Sequence, residues 1–308
     1  MILVTGASGL LGASVVLQAV ETHRPVTGLC WRHLLQVSGA DTYTVDLTNS
    51  AETRRVIADL RPSSIIHCAA ATGVDWCEDH PDQADQINVC ASSLLAELAQ
   101  EIDAQFLQIS TDSVFDGERG NYSEKDPPAP LNVYAKTKLA AELGVLRHHR
   151  SPLIARANFY GWNAQEKQSL GEWILGQLRN GNPVPGFTDV YFCPMLVNHL
   201  AEMLLTMLDR GISGIYHVVG SERISKYEFA RRLAVTFGFE PERVVPILAG
   251  EAKLRAARPL DTSMNTEKIS NELGQAMPGV EDGLGRFKSL HDQNYVQLLK
   301  GYLAGVGK

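Results

Sequence analysis

The first twelve residues constrain the fold of this 308-residue chain more than any other stretch: Met1-Ile2-Leu3-Val4-Thr5-Gly6-Ala7-Ser8-Gly9-Leu10-Leu11-Gly12. A short apolar run leads into glycines at 6, 9 and 12 and then into an apolar segment of helical period. An unbroken apolar run is how a parallel strand covered on both faces reads. Glycines directly after it let the backbone turn tightly and approach a bound group closely. A helix starting there aims its free N–H groups and positive dipole end at the turn. The arrangement suits an anion such as a dinucleotide pyrophosphate. A tight strand–helix connection with no ligand would use glycine in the same way, and GxxGxxG is not the GxGxxG of simple dehydrogenases. The downstream residues decide.

Strand-like runs recur at 2–5, 25–29, 42–45, 64–67, 105–110 and 152–156. Helical periods lie between them at 10–21, 50–60, 82–102 and 134–148. Alternation of this kind predicts an α/β fold with a doubly wound parallel sheet, Rossmann-like. Such sheets bind ligands beyond the carboxyl ends of their strands.

The residues at those ends are therefore the informative ones. The second strand ends in Cys30-Trp31-Arg32-His33, with no acid between Val26 and Ala40. An acid there binds the ribose 2′-hydroxyl of NAD, whereas a basic residue accommodates the 2′-phosphate of NADP. Arg32, with His33, points to NADP(H) as the preferred cofactor and NAD(H) as the allowed second choice. A solvent-exposed loop arginine fits the same position. Asp46-Leu47 follows the third strand, where the acid suits either the adenine amino group or a helix N-cap, with Thr48 and Asn49 nearer for capping. Ala69-Ala70-Ala71 ends the fourth strand, small enough for a cofactor to lie flat or for a close-packed turn. Asn88 sits on the apolar side of the following helix, where a buried amide needs partners and would tie the helix to a neighbouring strand.

The chemistry sits after the fifth strand. Ser110-Thr111-Asp112-Ser113 follows it directly, and Tyr134 and Lys138 lie four apart on one helix face. A phenol titrates near ~10. A cation beside it favours its ionised form and lowers that value. Such a tyrosine can exchange a proton with a carbonyl or alcohol oxygen. A fixed hydroxyl such as Thr111 can hydrogen-bond the same oxygen. A Tyr-x-x-x-Lys pair by itself occurs by chance on many surface helices. Its coupling to the strand-end hydroxyls and the glycine turn gives it meaning.

The second half changes character. Helical periods at 169–179, 197–208, 225–237, 266–273 and 280–303 alternate with a turn-rich stretch at 180–187 and strands at 214–219 and 242–246. Ser225 and Glu228 have capping-box spacing. This predicts a dinucleotide-binding domain over 1–160, to which the chain returns near 195–220. A smaller, interleaved α/β substrate lobe would cover 161–308.

Net charge is −7 with no basic stripe, which argues against nucleic acid or an anionic membrane as partner. No apolar run reaches membrane-spanning length. Five cysteines without a CxxC disfavour a disulfide framework and a zinc site, so no metal is expected. The sequence opens directly on a strand, leaving no room for a signal peptide, and the expected compartment is the cytoplasm.

Taken in order, Gly6-x-x-Gly9-x-x-Gly12, Asp46-Leu47, Ala69-Ala70-Ala71, Ser110-Thr111-Asp112, Tyr134-x-x-x-Lys138 and the strand end at Arg156–Tyr160 resemble the extended short-chain dehydrogenases/reductases. Ser-Thr-Asp-Ser-Val-Phe-Asp-Gly from Ser110 and the run from Pro130 to Glu142 closely resemble the dTDP-4-dehydrorhamnose reductase family, and Arg258-Pro259-x-Asp261 is similar to its substrate lobe. The resemblance implies reduction of the 4-keto group of a nucleotide-linked deoxysugar, as in dTDP-rhamnose biosynthesis. Tyr134 would donate the proton. Lys138 would hold the cofactor ribose and lower the Tyr134 pKa, and Thr111 would hydrogen-bond the keto oxygen. Gly6, Gly9 and Leu11 would lie along the pyrophosphate. Ser8, Leu10, Gly12, Arg32, Asp46, Leu47, Ala69, Ala70, Ala71, Ser110 and Asn158 would complete the cofactor site. Val74, Asp112, Asn158, Trp162 and Arg258 would face the nucleotide-sugar substrate, Arg258 as a fork donor to its diphosphate; a surface arginine fits that position equally. A homodimer is compatible with the family.

Two other readings remain. An epimerase–reductase of the GDP-fucose-synthase kind carries a Cys where Ser113 stands, which argues against it. A non-catalytic NADP-binding regulatory subunit, as in methionine adenosyltransferase, can retain Thr111, Tyr134 and Lys138. Ser113 also stands where the reductases often have an aromatic residue.

Overall fold

The computed structural model describes residues 1–252 and 255–304. Seven strands form its central sheet: β1 Ile2–Thr5, β2 Val26–Cys30, β3 Ala40–Thr44, β4 Ser64–His67, β5 Gln105–Thr111, β6 Leu153–Ala157 and β7 Gly214–His217. They lie in the order β7-β6-β5-β4-β1-β2-β3, each neighbouring pair parallel. The order reverses between β1 and β4, and a crevice opens at such a switch point.

The apolar runs follow from burial on both faces. Ile2, Val4, Ile66, Leu107 and Ala155 pack under α1 (Leu10–Glu21), with side chains of Val197–Asp209 in the same cluster. Their sequence neighbours Leu3, Ile65, Phe106 and Ile154 point the other way. There they meet Ile57 of α2 (Ser50–Leu60), Leu95 and Leu98 of α3 (Ala91–Glu101) and Val145 of α4 (Val133–His148). Each of the Val, Leu, Ile and Phe side chains among them stabilises the fold by roughly 1.5–3 kcal/mol. A second cluster, built on Trp162, Phe192, Phe229 and Phe287, forms the core of the other lobe. Its helices are α5 (Leu170–Arg179), α7 (Lys226–Thr236) and α8 (Val280–Asp292). Between α5 and α7 the chain returns to the main sheet through α6 (Val197–Asp209) and β7, where Gly214 pairs with Leu153.

Three elements differ from expectation. The helix expected over 82–102 is a short helix Pro81–Asp85, a π-turn Gln86–Cys90 and α3. Asn88 lies in that π-turn, turned inward; its Oδ1 accepts from the Ala71 N–H at 2.8 Å, and its Nδ2 donates to the Ala71 carbonyl at 3.2 Å and to Thr137 Oγ1 at 3.0 Å. One amide thus ties the β4 strand end to two helices. The turn-rich stretch at 180–187 contains a strand, Val184–Phe187, paired in parallel with Val244–Ile247. The final helix expected over 280–303 breaks at Asn294, which adopts a left-handed φ of 60°. Asparagine tolerates that conformation better than most residues. The helical period runs across the break because Leu290 before it and Tyr295 and Val296 after it pack on the same core. Beyond α9 (Tyr295–Gly301), Leu303–Ala304 pairs antiparallel with Leu34–Leu35.

Among the described residues no helix is long and apolar enough to cross a membrane, and no group of three or more His, Cys, Asp or Glu is placed to hold a metal ion.

Candidate functional site

The glycine turn sits at the carboxyl end of β1, facing the switch point. Gly6 has φ 62°, and a Cβ there would stand 2.8 Å from the Ala69 backbone. A Cβ on Gly12 would run into the Gly6 carbonyl. The turn closes with the Gly9 N–H donating to the Gly6 carbonyl at 2.9 Å, and the helical ladder begins with the Ala13 N–H on the Gly9 carbonyl, also at 2.9 Å. Gly9 offers no side-chain cap, and no acid lies in the first turn of α1. The first N–H groups of α1 are thus left for a ligand. Uncapped donors on a positive dipole end, with no side chain in front of them, fit a pyrophosphate.

From this turn a cleft of about 1170 Å³ runs across the strand ends to the second lobe. Gly6, Ser8, Gly9, Leu10, Leu11, Gly12, Arg32, Asp46, Leu47, Ala69, Ala70 and Ala71 line it toward one side. Ser110, Thr111, Asp112, Tyr134, Lys138 and Asn158 line it as well, at the ends of β5 and β6 and on α4. The Arg32 guanidinium lies 3.8 Å over the ring of Trp31, itself 51% exposed at the rim. Asp46 accepts from the Thr48 N–H at 2.9 Å and from Thr48 Oγ1 at 2.7 Å, while Asn49 caps α2 through the Glu52 N–H at 3.2 Å. Capping thus falls to Asn49, and Asp46 organises its own loop.

The polar end is built on Asp112, which is 3% exposed. Its carboxylate accepts from Thr111 Oγ1 at 3.1 Å, Ser113 Oγ at 3.2 Å, Asn158 Nδ2 at 2.6 Å and Thr262 Oγ1 at 2.6 Å. Those donors join β5, β6 and the 255–266 segment in one network. Asn132 caps α4 by accepting from the Ala135 N–H at 2.9 Å, which fixes where the helix of Tyr134 and Lys138 starts. Beneath it, Ser110 Oγ donates to Glu142, and Glu142 takes a two-point ion pair from Arg156 at 2.9 and 2.7 Å, both side chains buried.

The electrostatics of Tyr134 run opposite to the sequence expectation. Lys138 does not lower its pKa here. Lys138 Nζ donates instead to the Ile109 carbonyl at 2.7 Å. Burial pushes the Tyr134 phenol up to about 12, with the Asp112 charge adding to the rise and a hydrogen bond with Thr111 opposing it. Burial likewise holds Lys138 down to about 8, with Glu142 opposing the shift.

Three expected substrate residues do not line the cleft. Trp162 is 4% exposed, stacks on Phe287 at 4.0 Å and donates its indole N–H to the Phe287 carbonyl at 3.0 Å. It belongs to the core of the second lobe. Arg258 reaches Asp75 at 3.0 Å, so a protein carboxylate takes the role assigned to a ligand diphosphate. Val74 starts the short helix Val74–Asp79, and its neighbours Gly73 and Trp76 face the cleft in its place. The sequence reading also passed over Thr72, Gln86, Gln165, Lys167 and Gln168, which line the cleft. A polar run shortly after β6, Gln165-Glu166-Lys167-Gln168, is the signal that could have found the last three.

A family model described as the RmlD substrate binding domain matches residues 1–291. A probable low-salt glycan biosynthesis reductase of Haloferax volcanii is 31% identical over 93% of this chain and 96% of its own length. The methionine adenosyltransferase 2 subunit beta of Pongo abelii is 32% identical over 93% of this chain and 87% of its own. Among solved structures, the dTDP-4-dehydrorhamnose reductase of Bacillus anthracis in complex with NADP superposes with a TM-score of 0.82 at 28% identity, covering 93% of this chain and 97% of that one. With the family model spanning both lobes and relatives of this identity along nearly the whole length, the chain belongs to the dTDP-4-dehydrorhamnose reductase-like family of extended short-chain dehydrogenases/reductases.

Proposed function

We propose that the protein is an NADPH-dependent ketoreductase acting on the 4-keto group of a nucleotide-linked deoxysugar. The observation that carries this reading is one cleft lined by the uncapped glycine turn, by Thr111 at the end of β5 and by Tyr134 and Lys138 on α4. When bound, a reduced nicotinamide supplies the hydride. Tyr134 supplies the proton to the keto oxygen. A phenol held near 12 stays protonated at neutral pH, as a proton donor must before the step. Thr111 steadies the same oxygen, and Lys138, one helical turn from Tyr134 and lining the same cleft, holds the cofactor ribose. Asp112, fixed by four donors, and Asn158 orient the sugar. Arg32 at the rim selects the 2′-phosphate.

A second reading is a cofactor-binding subunit without turnover. It is favoured by the similarity to methionine adenosyltransferase beta subunits and by the engagement of Lys138 with Ile109. A screen of NADPH oxidation against a panel of nucleotide 4-keto-6-deoxysugars separates the two. The ketoreductase reading expects oxidation with at least one sugar. Tight NADPH binding with no oxidation by any sugar would replace it with the subunit reading. NADPH and NADH titrations of the wild type and Arg32→Ala test the cofactor choice. Equal affinity for both cofactors in the wild type would remove the role of Arg32.

A further inference from the structure

The segment 163–169 leaves the second lobe and crosses the mouth of the cleft. At one side Gln165 Nε2 donates to the Ser8 carbonyl at 2.9 Å and to Ser8 Oγ at 3.3 Å, inside the glycine turn. At the other side Lys167 Nζ donates to Thr72 Oγ1 at 2.7 Å, beyond the end of β4. The segment therefore spans the gap between β1 and β4, where the switch point lies. It holds its own shape. Asn163 Nδ2 donates to the Lys167 carbonyl at 2.6 Å, the Gln165 N–H donates to Asn163 Oδ1 at 3.1 Å, and the Asn163 N–H donates to Glu172 at 2.9 Å. Ser169 Oγ donates to the Gly161 carbonyl at 2.6 Å.

Charge gives this placement a purpose. The glycine turn offers backbone N–H dipoles but no full positive charge. Among the lysines and arginines lining the cleft, Arg32 lies over Trp31 and Lys138 is spent on the Ile109 carbonyl. Lys167 has only a neutral hydroxyl as acceptor and no carboxylate within ion-pair distance among the described residues. An ammonium held by a hydroxyl in the wall of the same cleft that the uncapped N–H groups line is available to an anion bound there.

We propose that segment 163–169 completes the dinucleotide site from the second lobe, with Gln165 fastening it to the glycine turn and Lys167 presenting its ammonium to the cofactor pyrophosphate. The inference rests on the reading of the cleft as a nicotinamide dinucleotide site. It adds a contact made by the lobe otherwise assigned to substrate.

The test is NADPH binding to the full-length protein, followed by fluorescence titration and by the dissociation rate. It uses wild type, Lys167→Met, Lys167→Arg and Gln165→Ala, each checked for an unchanged melting curve. Adenosine 2′-monophosphate, which lacks the pyrophosphate, serves as control probe. Lys167→Met should weaken NADPH about tenfold through faster dissociation, with Lys167→Arg largely restoring it. Gln165→Ala should also speed dissociation. Affinity for adenosine 2′-monophosphate should stay within about twofold in all variants. Unchanged NADPH affinity and dissociation in Lys167→Met overturns the proposal, as does an equal loss for both probes. If the wild type binds neither NADPH nor NADH, the reading of the cleft itself fails, and that result is distinct from an effect confined to the variants.

Discussion

Replacing Lys138 with methionine should make the protein more stable in the absence of cofactor. Lys138 is 3% exposed, and burial holds its ammonium down to about 8. In the unfolded chain the same amine keeps its proton up to ~10.4. Between these values the unfolded state binds more protons, so stability climbs with pH there; below about pH 8 the full cost is present. Keeping the ammonium charged at neutral pH therefore costs the fold about 3 kcal/mol. The variant loses the hydrogen bond to the Ile109 carbonyl, worth about 1 kcal/mol. That carbonyl keeps a second donor, Gln108 Nε2 at 3.0 Å, so no buried acceptor is stranded. The net gain is about 2 kcal/mol at pH 7, fading to nothing near pH 10. Urea unfolding of both proteins at the two pH values, followed by circular dichroism, measures it. A variant less stable than wild type at pH 7, or a gain that does not change with pH, would refute the reasoning. A confirmed gain would mark Lys138 as a residue the fold carries for function at the expense of stability.

Trp162→Ala should cost about 3–5 kcal/mol in urea unfolding, because the indole fills the core of the second lobe. If it were a sugar contact, substrate KM would change with little loss of stability. Gly6→Ala should lower stability by at least about 1 kcal/mol and weaken NADPH in the same titration, since φ is 62° and Ala69 lies in the path of the added methyl. Arg156→Leu should cost about 3–5 kcal/mol by leaving Glu142 buried and unpaired. The double variant Glu142→Leu/Arg156→Leu should cost less than the sum of the singles, and additive losses would mean that the pair is not coupled.

The sheet was legible in the sequence because both faces of each inner strand are covered, so its residues read as continuous apolar runs. The placement of the glycine turn, Ala69–Ala71, Thr111, Tyr134 and Lys138 around one cleft was legible because strand ends in a doubly wound sheet converge. Trp162 misled because an aromatic next to a strand end looks the same whether it faces the cleft or the lobe core behind it. Arg258 misled because its partner, Asp75, is distant in sequence and nothing local marks it. The direction of the Tyr134 shift was hidden for a related reason. Four-residue spacing puts a lysine on the same helix face, but the Ile109 carbonyl that accepts its hydrogen bond comes from β5. The break at Asn294 was invisible to periodicity because both half-helices bury their apolar faces on the same core. Segment 163–169 escaped because a short polar run between elements reads as an ordinary loop until its contacts with Ser8 and Thr72 are seen.

The central claim is that Tyr134 delivers the proton in an NADPH-dependent reduction. Tyr134→Phe, assayed for NADPH oxidation with a nucleotide 4-keto-6-deoxysugar and titrated with NADPH in parallel, tests it most directly. Loss of turnover by at least about a hundredfold, with NADPH affinity within about twofold of wild type, is the predicted result. Turnover equal to that of the wild type would contradict it.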